Sequence, residues 1–286
     1  MTEVSMVEET SRESRAPART LRVAIAGFGS IGRLVGRLLD DGIPGLRLVS
    51  VSAANLERAR ANLKGFRSAV DVVSLARIAD HADVVVDCAV PEVFRDAVMP
   101  AVERACTIVT VNATALVAHP DIIARAERAG ARVILASGSV LGFDGLRAAA
   151  IGVINSVLMV TRKPPLAMLH SQWLRERGID PRAISRPTRI FEGTAREAAR
   201  AFPDKLNTAA AIALASVGPD RARIEIWLDP GVERNVHRIS VEADSTRFEI
   251  ELQNVANPGH EGTGPLTAYS VIAALKDLSA TFRAGT

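Results

Sequence analysis

The sequence predicts an α/β protein with a doubly wound parallel sheet, followed by a second α+β domain whose sheet is mostly antiparallel. Three observations lead there. Between residues 21 and 136, short and nearly uniform apolar runs alternate with amphipathic segments. A glycine-rich turn joins the first of these runs to the first amphipathic segment. Beyond about residue 150 the apolar pattern changes to strict alternation, the mark of strands with one buried face.

In the first half, "LRVAIAG", "LRLVSVSA", "ADVVVDCAV", "CTIVTVNA" and "ARVILASG" read as strands. Their continuous hydrophobicity suits a parallel sheet covered on both faces. "PEVFRDAVMPAVERA" and "PDIIARAERAG" read as helices, with Pro91 and Pro120 in first-turn positions and Gly130 as a C-terminal cap. Strand and helix repeated in this way make residues 21–136 a Rossmann-type doubly wound domain.

The turn itself, Gly27-Phe28-Gly29-Ser30-Ile31-Gly32, directly follows a strand and directly opens a helix. That context turns a weak glycine pattern into a dinucleotide-binding fingerprint. Gly27 permits the tight turn, Gly29 removes a side chain that would block the pyrophosphate, and Gly32 lets the helix approach the strand. The amides of Ser30, Ile31 and Gly32, at the positive end of the helix, then hold the phosphates. Ala89, at the end of "ADVVVDCAV", is expected at the cofactor as well.

The ribose end departs from the usual pattern. A carboxylate that grips the adenosine 2′-hydroxyl should close the second strand, but "VSVSAANLERAR" offers Ser52, Ala53, Ala54 and Asn55. Ser52 is placed at the cofactor, and nothing there repels a 2′-phosphate. Arg58 or Arg60 could reach such a group, although both also read as solvated helix residues. The expected cofactor is NADP or NAD.

Residues 137–265 form the expected second, substrate-binding domain. "INSVLMVTRKPP", "RARIEIWLDP", "NVHRISVEADS" and "TRFEIELQNV" alternate as strands, and Ala-rich segments near 194–202 and 204–217 read as helices. In the second strand Ala222, Ile224, Ile226 and Leu228 face one way. Residues 266–286, within "PLTAYSVIAALKDLSATFR" and beyond, are expected to return as a helix to the first domain. Residues 1–20 contain no apolar stretch and read as a disordered tail without a signal-peptide pattern.

Composition narrows the functional classes. Aromatics are only 4% of the chain, with a single Tyr, and Lys and Arg are scattered, so no platform for nucleic acid can be built. No apolar run reaches membrane-spanning length. Two cysteines, Cys88 and Cys106, lie in apolar segments without metal or redox spacing. They read as reduced core thiols of a cytoplasmic protein, and no metal is expected.

A cofactor domain needs an acid-base group from elsewhere. Of five histidines, His81 and His119 lie in polar loop or helix-start contexts, His170 in "LHSQWLRERG" and His260 in "NPGHEGTG". His237 differs, because it shares a strand face with Ile239, Val241 and Ala243 and therefore points to the covered side. A neutral imidazole there is poised to exchange a proton near physiological pH, although a single strand histidine also reads as a structural group.

"FEGTAREAARAFPDKLNTAAAIALASVG", then "DP" and "NVHRI", together with "TRKPP" and "SGSVLGFDGLRAAA", resemble the L-aspartate dehydrogenase family. The similarity runs from about residue 21 to residue 280 and is most specific between Phe191 and His237. The resemblance implies NAD- or NADP-dependent oxidation of L-aspartate to iminoaspartate, with oxaloacetate and ammonia as the reverse substrates, in service of pyridine-nucleotide synthesis, and a homodimer. It makes His237 the catalytic acid-base group. It places Asn207 at the cofactor near the reacting centre and in contact with substrate, Ser139 in a turn beside the nicotinamide, and Lys163 against a substrate carboxylate. A surface role for Lys163 at a strand end stays open.

Several positions depart from the family pattern: Leu141 in place of a glycine, "VNATAL" in place of Ser-Val-Gly-Ala-Leu, "FPDKLN", and the polar insertion "LHSQWLRERGIDPRAISRPTR". They cluster near the expected substrate pocket and leave two alternatives open. One is a related dehydrogenase of another small amino or oxo acid; the other is a non-catalytic NADP-binding sensor.

Overall fold

A computed structural model of the chain describes residues 19–202, 206–255 and 264–285. Of the sequence readings, the N-terminal tail to residue 18, His260 and the Pro203, Asp204 and Lys205 of "FPDKLN" lie outside the described residues.

The first domain opens with β1 (Leu21–Ala26), α1 (Ser30–Asp40), β2 (Leu46–Ser52), α2 (Leu56–Asn62) and the two-residue β3 (Asp71–Val72). It continues through β4 (Val84–Asp87), α3 (Phe94–Glu103), β5 (Thr107–Thr110), α4 (Ala113–Ala118), α5 (Asp121–Ala129) and β6 (Arg132–Leu135). The six strands lie in the order β3-β2-β1-β4-β5-β6, and every pairing is parallel. This is the expected Rossmann-type doubly wound sheet, and the strand order reverses between β1 and β4, where such sheets open a ligand crevice.

Pattern explains the burial. Val23 to Ala26 of β1 and Val84 to Val86 of β4 are buried almost completely, as strands covered on both faces must be. α5 ends on Gly130 in the left-handed region, the expected cap. Pro91 opens a short 3-10 turn rather than the helix proper, which begins at Phe94, and Pro120 sits one position before α5. Each proline lacks the amide that a helix interior requires, so both fall at or before the first turn.

The second domain contains α6 (Phe143–Ala149), β7 (Ile154–Lys163), α7 (Gln172–Glu176), β8 (Thr188–Thr194), α8 (Ala195–Ala201), α9 (Asn207–Leu214), β9 (Arg223–Leu228), β10 (Val236–Ala243) and β11 (Arg247–Gln253). Its sheet runs β11-β10-β7-β9-β8, antiparallel throughout except where β7 pairs with β9. One face is covered by α8 and α9 and carries Val157, Met159, Ile224, Ile226, Ile239 and Val241, all buried. α8 begins with a reciprocal Thr194–Glu197 capping box, worth about 1 kcal/mol. The insertion after β7 turns back onto the domain: Met168 and Leu174 are buried, and Trp173 packs on Phe191 and Phe202.

The last helix, α10 (Leu266–Asp277), lies against α1 and buries Ala268, Val271 and Leu275 with the core strands β1, β2 and β4. The two domains meet chiefly where α4 packs on α9, and the Gly138 amide, just after the last strand of the first domain, donates to Ser270 of α10.

Candidate active site

The glycine turn is shaped by three different constraints. Gly27 has φ of +94°, and a Cβ there would lie 2.4 Å from the amide nitrogen of Ala89. A Cβ on Gly32 would lie 2.1 Å from the carbonyl oxygen of Gly27. A Cβ on Gly29 would meet no protein atom within 4 Å. Packing therefore explains the first and third glycines but not the second. The open space above Gly29, at the start of an eleven-residue helix with no acidic residue in its first turn, fits a pyrophosphate held on backbone amides.

The carbonyl of Ser52 accepts the amide of Gly27 at 2.9 Å, while the residue itself is buried. Ser52 thus supports the turn through its backbone. Beyond it, Asn55 caps α2 by accepting the Arg58 amide at 2.8 Å. Arg60 pairs with Glu57, whereas Arg58 keeps its guanidinium exposed.

A cleft of about 460 Å³ runs along the seam between the domains. Ile31 of α1, Ser139, Lys163 and Asn207 all line it, so residues from four separate segments converge. The Ser137–Ser139 loop is pinned at both sides: the amide of Gly138 donates to Ser270 Oγ of α10 at 3.0 Å, and Asn254 Nδ2 reaches the Ser139 carbonyl at 3.4 Å. Asn207 opens α9, and its Oδ1 accepts both the amide and the hydroxyl of Thr114, at 3.1 and 2.9 Å. Its amide nitrogen is thereby aimed by a residue of the cofactor domain.

His237 lies one rung deeper. On the covered face, β10 places His237 opposite Thr161 of β7, and the next positions toward the cleft are Asn235 and Lys163, which line it. Thr161 Oγ1 is 3.1 Å from His237 Nδ1, and His237 is only 6% exposed. Burial first, and the Lys163 ammonium second, pull the imidazole down to about 3. The imidazole is held neutral without substrate, and its proton exchange is pulled below the physiological range, because the strand face that hides it also brings a lysine beside it. Lys163 itself is 5% exposed, so it is no surface strand-end residue.

Comparison with known proteins shows the family. Residues 144–278 match the family model "Aspartate dehydrogenase, C-terminal", and residues 27–136 match "Homoserine dehydrogenase, NAD binding domain". The chain is 44% identical to an L-aspartate dehydrogenase of Bradyrhizobium diazoefficiens over 266 residues, covering 93% of this chain and 94% of that one. It is 37% identical to L-aspartate dehydrogenase 3 of Bordetella bronchiseptica, over 93% and 98% of the two chains. This chain belongs to the L-aspartate dehydrogenase family. Family membership makes it an NAD(P)-dependent amino-acid dehydrogenase. The fold agrees: the crystal structure of aspartate dehydrogenase from Thermotoga maritima superposes with a TM-score of 0.70 at 22% identity, covering 93% of this chain and 99% of that one. No helix among the described residues is long and apolar enough to cross a membrane.

Some residues of this candidate site escaped the sequence reading. Glu233, Arg234 and Asn235 line the cleft, and their signal was a polar "ERN" leading straight into the His237 strand. Leu166 and Ala167, at the start of the insertion, line it too. Asp87, Thr110 and Asn112 form a buried polar network under the cofactor turns. Its signal was a carboxylate ending an otherwise apolar strand.

Proposed function

We propose that this chain oxidises L-aspartate to iminoaspartate with NAD or NADP, and runs in reverse from oxaloacetate and ammonia, with His237 as the acid-base group. The observation that carries the reading is the convergence of Ile31, Ser139, Lys163 and Asn207 on one interdomain cleft, with His237 a single rung behind Lys163 and Asn235.

When bound, a nicotinamide coenzyme supplies the hydride-accepting ring; the protein supplies distance, face and charge. The turn from Gly27 to Gly32 takes the pyrophosphate. Ser139 and Asn207 fix the nicotinamide end within the cleft. Lys163 holds a carboxylate of the dicarboxylic substrate, which fixes the α-carbon for transfer. The α-amine must shed a proton before its lone pair can support the forming imine. A neutral His237 is the acceptor, with Nδ1 engaged by Thr161 and Nε2 left for the substrate. A carboxylate bound to Lys163 cancels the charge that holds the imidazole low, so substrate binding itself makes His237 more basic.

The site works as part of a homodimer in the cytoplasm on this reading. Initial rates with L-aspartate and each coenzyme, beside a panel of small amino and oxo acids, test it. A preference for another acid redirects the reading to a related dehydrogenase, to which the Leu166–Ala167 wall would then belong. Coenzyme binding without turnover on any of them would leave a sensor.

A further inference from the structure

Asp87 ends β4 at the point where the strand order reverses, opposite Ala26 of β1 and Thr110 of β5. It is wholly buried. Its Oδ2 accepts the Thr110 hydroxyl at 2.7 Å and Asn112 Nδ2 at 2.8 Å, and its Oδ1 accepts the Ala89 amide at 3.1 Å. Asn112 Nδ2 also donates to the Ala89 carbonyl at 2.9 Å, and the Asn112 amide donates back to Thr110 Oγ1 at 2.9 Å. One carboxylate thus fixes the Ala89 turn and the start of α4 together.

Both ends of this network reach the coenzyme site, so a role for Asp87 there rests on the dehydrogenase reading. The Ala89 turn is what Gly27 packs against. Two residues beyond Asn112, Thr114 holds Asn207 by two hydrogen bonds. Three donors converge on Asp87, an arrangement that suits an ionised carboxylate, whereas protonation turns one of its oxygens into a donor.

We propose that Asp87 is a positioning residue for the coenzyme: ionised, it holds the Ala89 turn and Asn207 in the binding arrangement, and its protonation in mildly acidic solution weakens coenzyme affinity. The window is set by burial, which lifts the carboxyl to about 6 against the opposing pull of Thr110, Asn112 and Ala89. No charged side chain of β1, β5 or α4 acts on it among the described residues. The titratable neighbour is Cys88, whose thiol burial and the Asp87 charge push far up, out of this range.

The test is the dissociation constant of NADH and of NADPH, by titration calorimetry, from about pH 8 down to about pH 5. In Asp87→Asn neither orientation of the amide can accept all three donors. Affinity should be about tenfold weaker than wild type near pH 8, and the gap should narrow toward pH 5 as the wild-type carboxyl becomes neutral. Taking the ratio removes the ionisation of the NADPH 2′-phosphate, which falls near pH 6. Thr110→Val removes a donor that favours the charged form, so its affinity should start to fall at higher pH than wild type, while Thr110→Ser should not move it. Should the Asn variant fail to fold by circular dichroism, the Val and Ser pair carries the test alone. A ratio constant with pH, or a Val variant that titrates where wild type does, overturns the inference and leaves the dehydrogenase reading intact. Wild-type protein that binds neither coenzyme sinks that reading, and this inference with it.

Discussion

The two sheets build their halves of the candidate site by different means. The parallel sheet of the first domain works through backbone: the turn after β1 is dictated by where a Cβ fits, and its open amides face the crevice at the strand ends. The mixed sheet of the second domain works through side chains on one covered face, where Lys163, Thr161 and His237 stand on adjacent rungs of β7 and β10. A backbone device is fixed by local chain geometry, and ionisation reaches it only through a side chain that braces it, as Asp87 braces the Ala89 turn. A side-chain device depends on what is buried around it, so its chemistry is set by neighbours from distant parts of the chain.

Four experiments break or sharpen that contrast. The largest effect is expected from His237→Ala, which should lower kcat by ~10²- to 10⁴-fold while coenzyme affinity stays close to wild type. Unchanged turnover would remove the side-chain half of the comparison altogether.

The glycines come next, because they separate ligand space from packing. Gly29→Val should keep the wild-type unfolding midpoint and lose about 10- to 100-fold in coenzyme affinity, since only the pyrophosphate space is filled. Gly32→Ala should instead destabilise the fold by about 1–3 kcal/mol in urea, as its methyl meets the Gly27 carbonyl. Equal stability losses in both would erase the distinction.

Lys163→Met should raise KM for the dicarboxylate about tenfold. It also removes the cation that holds the His237 imidazole low. The base must be neutral to accept a proton, so activity falls as pH drops through its pKa; raising that pKa moves the acid limb of the kcat/KM profile to higher pH. An acid limb that stays in place would show that the two side chains do not sense each other.

The smallest effect is expected at the ribose end. Ala53→Asp should shift the kcat/KM ratio several-fold toward NAD, by repelling a 2′-phosphate. No shift would place the ribose away from the end of β2.

The first domain was legible because its cues are local. The apolar runs gave the strands, Gly27, Gly29 and Gly32 gave the turn, and Gly130 took its left-handed cap. His237 was legible as inward-facing from alternation alone, and the structure buries it. Its protonation was not legible, because Lys163 lies more than seventy residues away in sequence and becomes its neighbour only through the β7–β10 register. Asp87 was hidden for the same reason: within "ADVVVDCAV" it looks like a strand end, and its donors come from β5 and the start of α4.

The sequence by itself therefore determined the two kinds of sheet, the dinucleotide turn and the family, since periodicity, steric allowance at glycine and residue identity are all written along the chain. Only the tertiary structure decided which ionisable groups share a buried environment, because the field and the desolvation that set their charge come from atoms brought close by folding rather than by sequence.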